Sequence, residues 1–94
     1  MQAKMYNYSI WVDVTEPKKL NDVIEDCMNV AGFNVLNKTE HYFKPFGYTG
    51  LYLLSESHLA IHTFPEEETA YIELSSCIKK PFDMFINELT HKLK

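Results

Sequence analysis

Between Leu53 and Pro65 the chain reads Leu-Leu-Ser-Glu-Ser-His-Leu-Ala-Ile-His-Thr-Phe-Pro, an apolar run with four consecutive polar residues set into it. Leu59, Ala60, Ile61 and Thr63 favour an extended strand, and Pro65 closes it. Two hydroxyls, a carboxylate and two imidazoles within such a run each need a partner, or each costs on the order of 1–3 kcal/mol when buried. A break in local consistency this dense marks a functional site.

The rest of the chain reads as a frame for that strand. Tyr8 to Val14 alternates, with Tyr8, Ile10, Val12 and Val14 against Ser9, Trp11 and Asp13, as a first strand. Thr15-Glu16-Pro17 is an N-cap followed by an early helical proline. Leu20, Val23, Ile24, Cys27, Met28 and Ala31 recur at helical spacing, so Lys18 to Ala31 is an amphipathic helix that Gly32 ends. Phe33 to Phe43 reads as a second strand, Pro45-Phe46-Gly47 as a turn, and Thr49 to Leu54 as a third strand. Ser57 to Phe64 is the fourth, Glu66-Glu67-Glu68 a turn, and Ala70 to Ser76 the fifth. Pro81 opens a last helix on Phe82, Phe85, Ile86 and Leu89. The order β-α-β-β-β-β-α with short connections predicts an α+β fold: a two-layer antiparallel sheet with two helices on one face.

Ninety-four residues, 46% of them hydrophobic and 14% aromatic, fit one small globular domain over 1–94. So many aromatics on so small a chain predict a homodimer in which the sheets pair across the interface. The net charge of −4, with only the Lys18-Lys19 and Lys79-Lys80 pairs as basic clusters, argues against nucleic acid as a partner. No apolar run approaches the roughly 20 residues of a membrane span, so no membrane partner is expected. Two cysteines are too few for a disulfide framework and nothing resembles a signal peptide, which predicts a soluble, cytoplasmic protein.

Residue types alone leave the chemistry open. His58 and His62 would meet on a helix, but on a strand rising about 3.3 Å per residue they sit about 13 Å apart, too far to share a zinc ion. Ser57 and Cys77 invite a hydrolase reading, yet glycine is absent around Ser57 where a nucleophile elbow needs it. On residue types alone, ordinary sheet residues with satisfied side chains are the better reading.

A resemblance that matches in register at several positions changes that weighting. Ser55-Glu56-Ser57-His58-Leu59-Ala60-Ile61-His62-Thr63-Phe64-Pro65-Glu66 resembles the self-cleavage segment of the bacterial S-adenosylmethionine decarboxylases, Ser-Glu-Ser-His-Leu-x-Ile-His-Thr-[Trp/Phe]-Pro-Glu. Phe43-Lys44-Pro45-Phe46-Gly47-Tyr48-Thr49-Gly50 is similar to the family's aromatic-x-Pro-[Tyr/Phe]-Gly-x-Ser-Gly, with Thr49 in place of the processing serine. Val12-Asp13-Val14 and the stretch from Ala31-Gly32 to Val35 also follow the family pattern.

The resemblance implies cleavage between Glu56 and Ser57, giving a β chain of 1–56 and an α chain of 57–94. Ser57 becomes a covalently bound pyruvoyl group, the cofactor, which forms a Schiff base with the substrate amine. It further implies that His62 assists this processing, helped by Thr49, and that Cys77 donates a proton to the substrate. Phe43 stacks on adenine and Glu66 takes the ribose hydroxyls; no metal is implied. The activity implied is decarboxylation of S-adenosylmethionine to the aminopropyl donor for spermidine. Three departures stand out: Ile78 where the family has glycine after the cysteine, Phe64 for tryptophan, and a chain that stops at Lys94 soon after the final helix. Two rival readings accompany it: a pyruvoyl-dependent ornithine or arginine decarboxylase, and an uncleaved homologue that binds a partner decarboxylase.

Overall fold

The computed structural model describes residues 3–93. Its elements are β1 (Tyr6–Val12), α1 (Pro17–Ala31), β2 (Val35–Tyr42), β3 (Tyr48–Leu54), β4 (Ser57–Phe64), a 3-10 turn (Pro65–Glu67), β5 (Thr69–Ser76) and α2 (Lys79–Lys92). The strands form one antiparallel sheet in the order β1-β5-β4-β3-β2. Both helices pack on the same face, so the expected two-layer α+β architecture is present.

The core follows from the two periodicities. Leu20, Ile24, Cys27, Met28 and Ala31 of α1, with Phe82, Phe85 and Leu89 of α2, meet one face of the sheet: Tyr48, Tyr52, Leu54, Leu59, Ile61, Ala70, Ile72 and Leu74. The buried cysteine on this stripe is an ordinary core residue, and burial pushes its thiol up to about 11. Gly32 ends α1 with a left-handed φ of 89° and donates its N–H to the Met28 carbonyl. Gly50 has a different reason to lack a side chain, because a Cβ there would lie 2.7 Å from the Tyr48 hydroxyl.

That hydroxyl belongs to a polar network at the edge of the core. Asn21 on α1 donates to Tyr48 Oη at 2.9 Å, Tyr48 donates to Glu40, and the single proton of Tyr52 Oη is shared between Asn21 Oδ1 at 2.6 Å and the Glu25 carboxylate. Burial, followed by these carboxylate neighbours, raises both tyrosine pKa values. The Tyr48 hydrogen bond in turn is the main reason the Glu40 carboxyl is held below its ordinary value.

Element ends depart from the sequence reading by two residues or more in three places. The first strand lies two residues earlier than expected, because its register with β5 runs from Tyr6 opposite Ser76 to Val12 opposite Ala70 and leaves Asp13 and Val14 outside. Phe33 turns in against Phe85 instead of extending β2, and an irregularity between Val35 and Asn37 shifts that strand's alternation. The last helix starts at Lys79, with Pro81 tolerated inside a first turn whose N–H groups have no helical partner anyway. Among the described residues no helix is long and apolar enough to cross a membrane.

Among the described residues, no helix packs on the second face of the sheet. Trp11, Leu51, Leu53 and Phe64 stand on it, with Trp11 60% and Leu53 53% exposed. Across its middle one row of paired positions runs Trp11, Tyr71, His62, Thr49, His41 through all five strands.

Candidate active site

A two-residue loop, Ser55-Glu56, joins β3 to β4, and Leu54 pairs with Ser57 across it. Glu56 adopts φ 64°, the left-handed region in which a side chain other than glycine is held at a cost of roughly 1–3 kcal/mol. Its carbonyl oxygen accepts two hydrogen bonds, from the Cys77 backbone N–H at 3.2 Å and from the Cys77 thiol at 3.2 Å. Two donors on one carbonyl oxygen form the arrangement that stabilises a tetrahedral oxyanion at that carbon. Cys77 is exposed, just beyond the end of β5.

Ser57 begins β4 and is 7% exposed. Its hydroxyl donates to Ser76 Oγ at 2.6 Å. Sequence reasoning did not single out Ser76, whose partner comes from a strand pairing 19 positions away. Its one local signal was parity: in the apolar run Ala70, Ile72, Leu74, Ser76 it takes the last inward position.

The remaining expected site residues form a second cluster. Thr49 Oγ1 and His62 Nδ1 are hydrogen-bonded at 3.0 Å across the β3–β4 ladder. The Tyr71 ring stacks near His62, with centroids 6.3 Å apart and 28° between the planes. Phe43, Thr49, His62, Phe64 and Glu66 line one open cleft of about 340 Å³. Phe43 is half exposed, edge-on to His41 at 4.4 Å, and its N–H donates to the Gly47 carbonyl at 2.8 Å to close the turn. Glu66 lies in the turn after β4, exposed at the rim.

The structure thus gathers the seven expected residues into two groups and keeps the groups apart. Ser57 and His62 lie five positions apart on one strand, so about 16 Å separates them along it. An odd offset also turns their side chains to opposite faces: Ser57 under the helices and His62 on the uncovered side. His58 is on the uncovered face too, four positions from His62 along β4.

A match to the S-adenosylmethionine decarboxylase family covers residues 8–94. The fold is also that of a solved protein, described as the adenosylmethionine decarboxylase from Aquifex aeolicus VF5, with a TM-score of 0.80, 18% identity, and coverage of 99% of this chain and 82% of that one. Among curated proteins, the S-adenosylmethionine decarboxylase proenzyme of Symbiobacterium thermophilum is 40% identical over 85 residues, covering 82% of this chain and 64% of that one. The corresponding proenzyme of Prochlorococcus marinus strain MIT 9313 is 45% identical over 65 residues, covering 63% and 52%. The chain belongs to the S-adenosylmethionine decarboxylase family. It spans about half the length of the curated relatives it matches.

Proposed function

We propose that this chain is a self-processing S-adenosylmethionine decarboxylase, acting in the cytoplasm as a homodimer and supplying the aminopropyl donor for spermidine. The observation that carries the reading is the double hydrogen bond from Cys77 to the carbonyl of Glu56, beside a buried Ser57 hydroxyl and on a left-handed backbone. Processing uses those atoms in order. Ser57 Oγ attacks the Glu56 carbonyl carbon, the negative oxygen rests on the two Cys77 donors, and the C–N bond breaks to leave an ester. A base removes the Cα proton of residue 57, the Cβ–Oγ bond breaks, and Glu56 departs with a free carboxylate. The dehydroalanine that remains tautomerises and takes up water, releasing ammonia and leaving a pyruvoyl group at position 57.

The residues present fit that group. Position 57 is held between Leu54 and Ser76 by strand pairing after its peptide bond is cut, and the Cys77 thiol stands exposed next to it. When present, the pyruvoyl group supplies an electron sink for the pair left behind as carbon dioxide departs. Cys77 returns a proton from its thiol to the substrate α-carbon.

The separation of Ser57 from His62 supports a site shared by two copies. A two-fold axis between facing sheets, crossing β4 near Ala60, carries the partner's His62 over the Glu56–Ser57 bond. Sheets packed face to face lie about 10 Å apart, which side chains span. The apolar residues of the uncovered face give such a pairing its driving force. The Thr49 hydrogen bond holds the imidazole for proton removal across the interface. Co-expression of differently tagged Ser57→Ala and His62→Ala chains tests this: cleavage of the His62→Ala chain is expected only in the mixed dimer, in which one site keeps both groups. An uncut His62→Ala chain in isolated mixed dimers would remove the shared site.

Phe43 and Glu66 line the same cleft as His62, which supports their role in holding a nucleoside. Glu66 accepts from the two ribose hydroxyls and Phe43 stacks on adenine, its ring face also favouring the sulfonium charge. Loss of a charged acceptor costs about 1.5–3 kcal/mol of binding, roughly ten- to a hundredfold. Carbon dioxide release from S-adenosylmethionine, ornithine and arginine, measured for the wild type and Glu66→Gln, tests the substrate. Turnover of S-adenosylmethionine, weakened ten- to a hundredfold in KM by Glu66→Gln with self-cleavage intact, is expected. Turnover of ornithine or arginine alone would replace the nucleoside reading, and no turnover by an uncut chain would favour a non-catalytic partner.

A further inference from the structure

We propose that Ser76 is a positioning residue for self-cleavage, its hydroxyl fixing the rotamer and the proton of Ser57; this rests on the self-cleavage reading above. The two serines are paired across β4 and β5, and their oxygens are 2.6 Å apart. Ser76 is 0% exposed, so the contact excludes water. Its oxygen accepts from the Ile78 N–H at 3.1 Å and donates to the Ile78 carbonyl at 3.2 Å, anchoring it to the backbone that leads into α2.

The donor count then fixes the direction of the bond between the serines. A hydroxyl has one proton and two lone pairs. The Ser76 proton goes to the Ile78 carbonyl and one lone pair takes the Ile78 N–H, so the remaining lone pair accepts the proton of Ser57. Ser57 is therefore held in one of its three staggered rotamers, with its proton directed away and both lone pairs free for the Glu56 carbon. The neighbouring Ser75 does not compete, since its hydroxyl donates to Asn7 Oδ1 at 2.6 Å. In the shift to the ester, the Oγ–H bond breaks as Oγ–C forms, the carbonyl pair moves onto the oxygen held by Cys77, and the released proton ends on the departing nitrogen of residue 57. Ser76 emerges unchanged. The serine pair exists only before cleavage, because the Ser57 oxygen leaves within the new Glu56 carboxylate.

The test follows cleavage of freshly folded protein by intact mass for the wild type, Ser76→Ala, Ser76→Thr and Ser76→Val. Thermal unfolding of each is recorded alongside. Threonine and valine share one shape and differ in the hydroxyl. Ser76→Ala and Ser76→Val are expected to cleave about ten- to a hundredfold more slowly, the scale of a misplaced reacting atom, with Ser76→Thr restored toward the wild-type rate. Hydroxylamine, which cuts esters and leaves amides, is expected not to cut Ser76→Val, because that variant stalls before the ester forms. Equal rates for Thr and Val, a wild-type rate for Ala, or hydroxylamine cutting of Ser76→Val would each overturn the role of Ser76 while leaving self-cleavage intact. A wild-type chain that never cleaves would overturn both.

Discussion

A Ser57→Ala chain is expected to remain one 94-residue polypeptide indefinitely, while the wild type resolves into fragments 1–56 and 57–94. Alanine removes the only atom that can attack the Glu56 carbonyl from within the same residue and leaves the β4 backbone as it was. The barrier then returns to that of ordinary amide hydrolysis, so the loss is total on a laboratory timescale. Intact mass spectrometry reads the result directly, and the wild-type C-terminal fragment should lack a free amine at its first residue. The hydroxyl of Ser57 hydrogen-bonds at 2.6 Å to Ser76, so its loss leaves Ser76 one partner short at about 0.5–1.5 kcal/mol. That penalty is small enough for the variant to fold, and a melting curve near that of the uncut wild type checks it. A Ser57→Ala chain that still splits at position 56 would remove the serine mechanism altogether.

Cys77→Ala is expected to separate the two uses of that residue. Processing should slow only severalfold, because the backbone N–H of residue 77 still holds the Glu56 carbonyl after the thiol is gone. Decarboxylation by the cleaved protein should fall by 10²–10⁴, roughly the worth of a general acid. Wrong protonation should also appear as gradual inactivation, with the substrate amine transferred to the pyruvoyl carbon. Cys27→Ala is the control: that side chain is fully buried on α1, so its replacement alters stability and not the pattern of products. Full turnover by Cys77→Ala, measured per cleaved chain, would return Cys77 to a purely structural role.

How much of this was legible beforehand follows from the range of each interaction. The motif strand was readable because Leu59, Ile61 and Thr63 alternate toward the core, and α1 because its stripe and Gly32 are local signals. The ends of β1 and β2 were not, since they are set by register with β5 and by Phe33 packing on Phe85. The site residues were named by likeness, but their division into two clusters was available from spacing alone. Five positions along a strand is an odd number, and an odd number changes faces. Ser76 and the Tyr48–Asn21–Tyr52 network are different. Their partners lie 19 to 31 positions away, and no pattern within one segment carries that information.

The strand order β1-β5-β4-β3-β2 has a mechanical consequence if the chain is cut between residues 56 and 57 as proposed. Strands β4 and β5 would belong to the fragment that starts at residue 57, and the other fragment would supply the strand on each side of them, β1 and β3. The smaller piece is therefore clasped along two seams, with α2 of the same piece laid against α1 of the other. Opening one seam leaves the other intact, so such a nick would not loosen a flap; it would turn a folded polypeptide into an interlocked pair. Before the proposed cut, each subunit unfolds as one covalent chain. After it, unfolding of a subunit would also release one fragment from the other, and refolding would wait on two fragments finding each other.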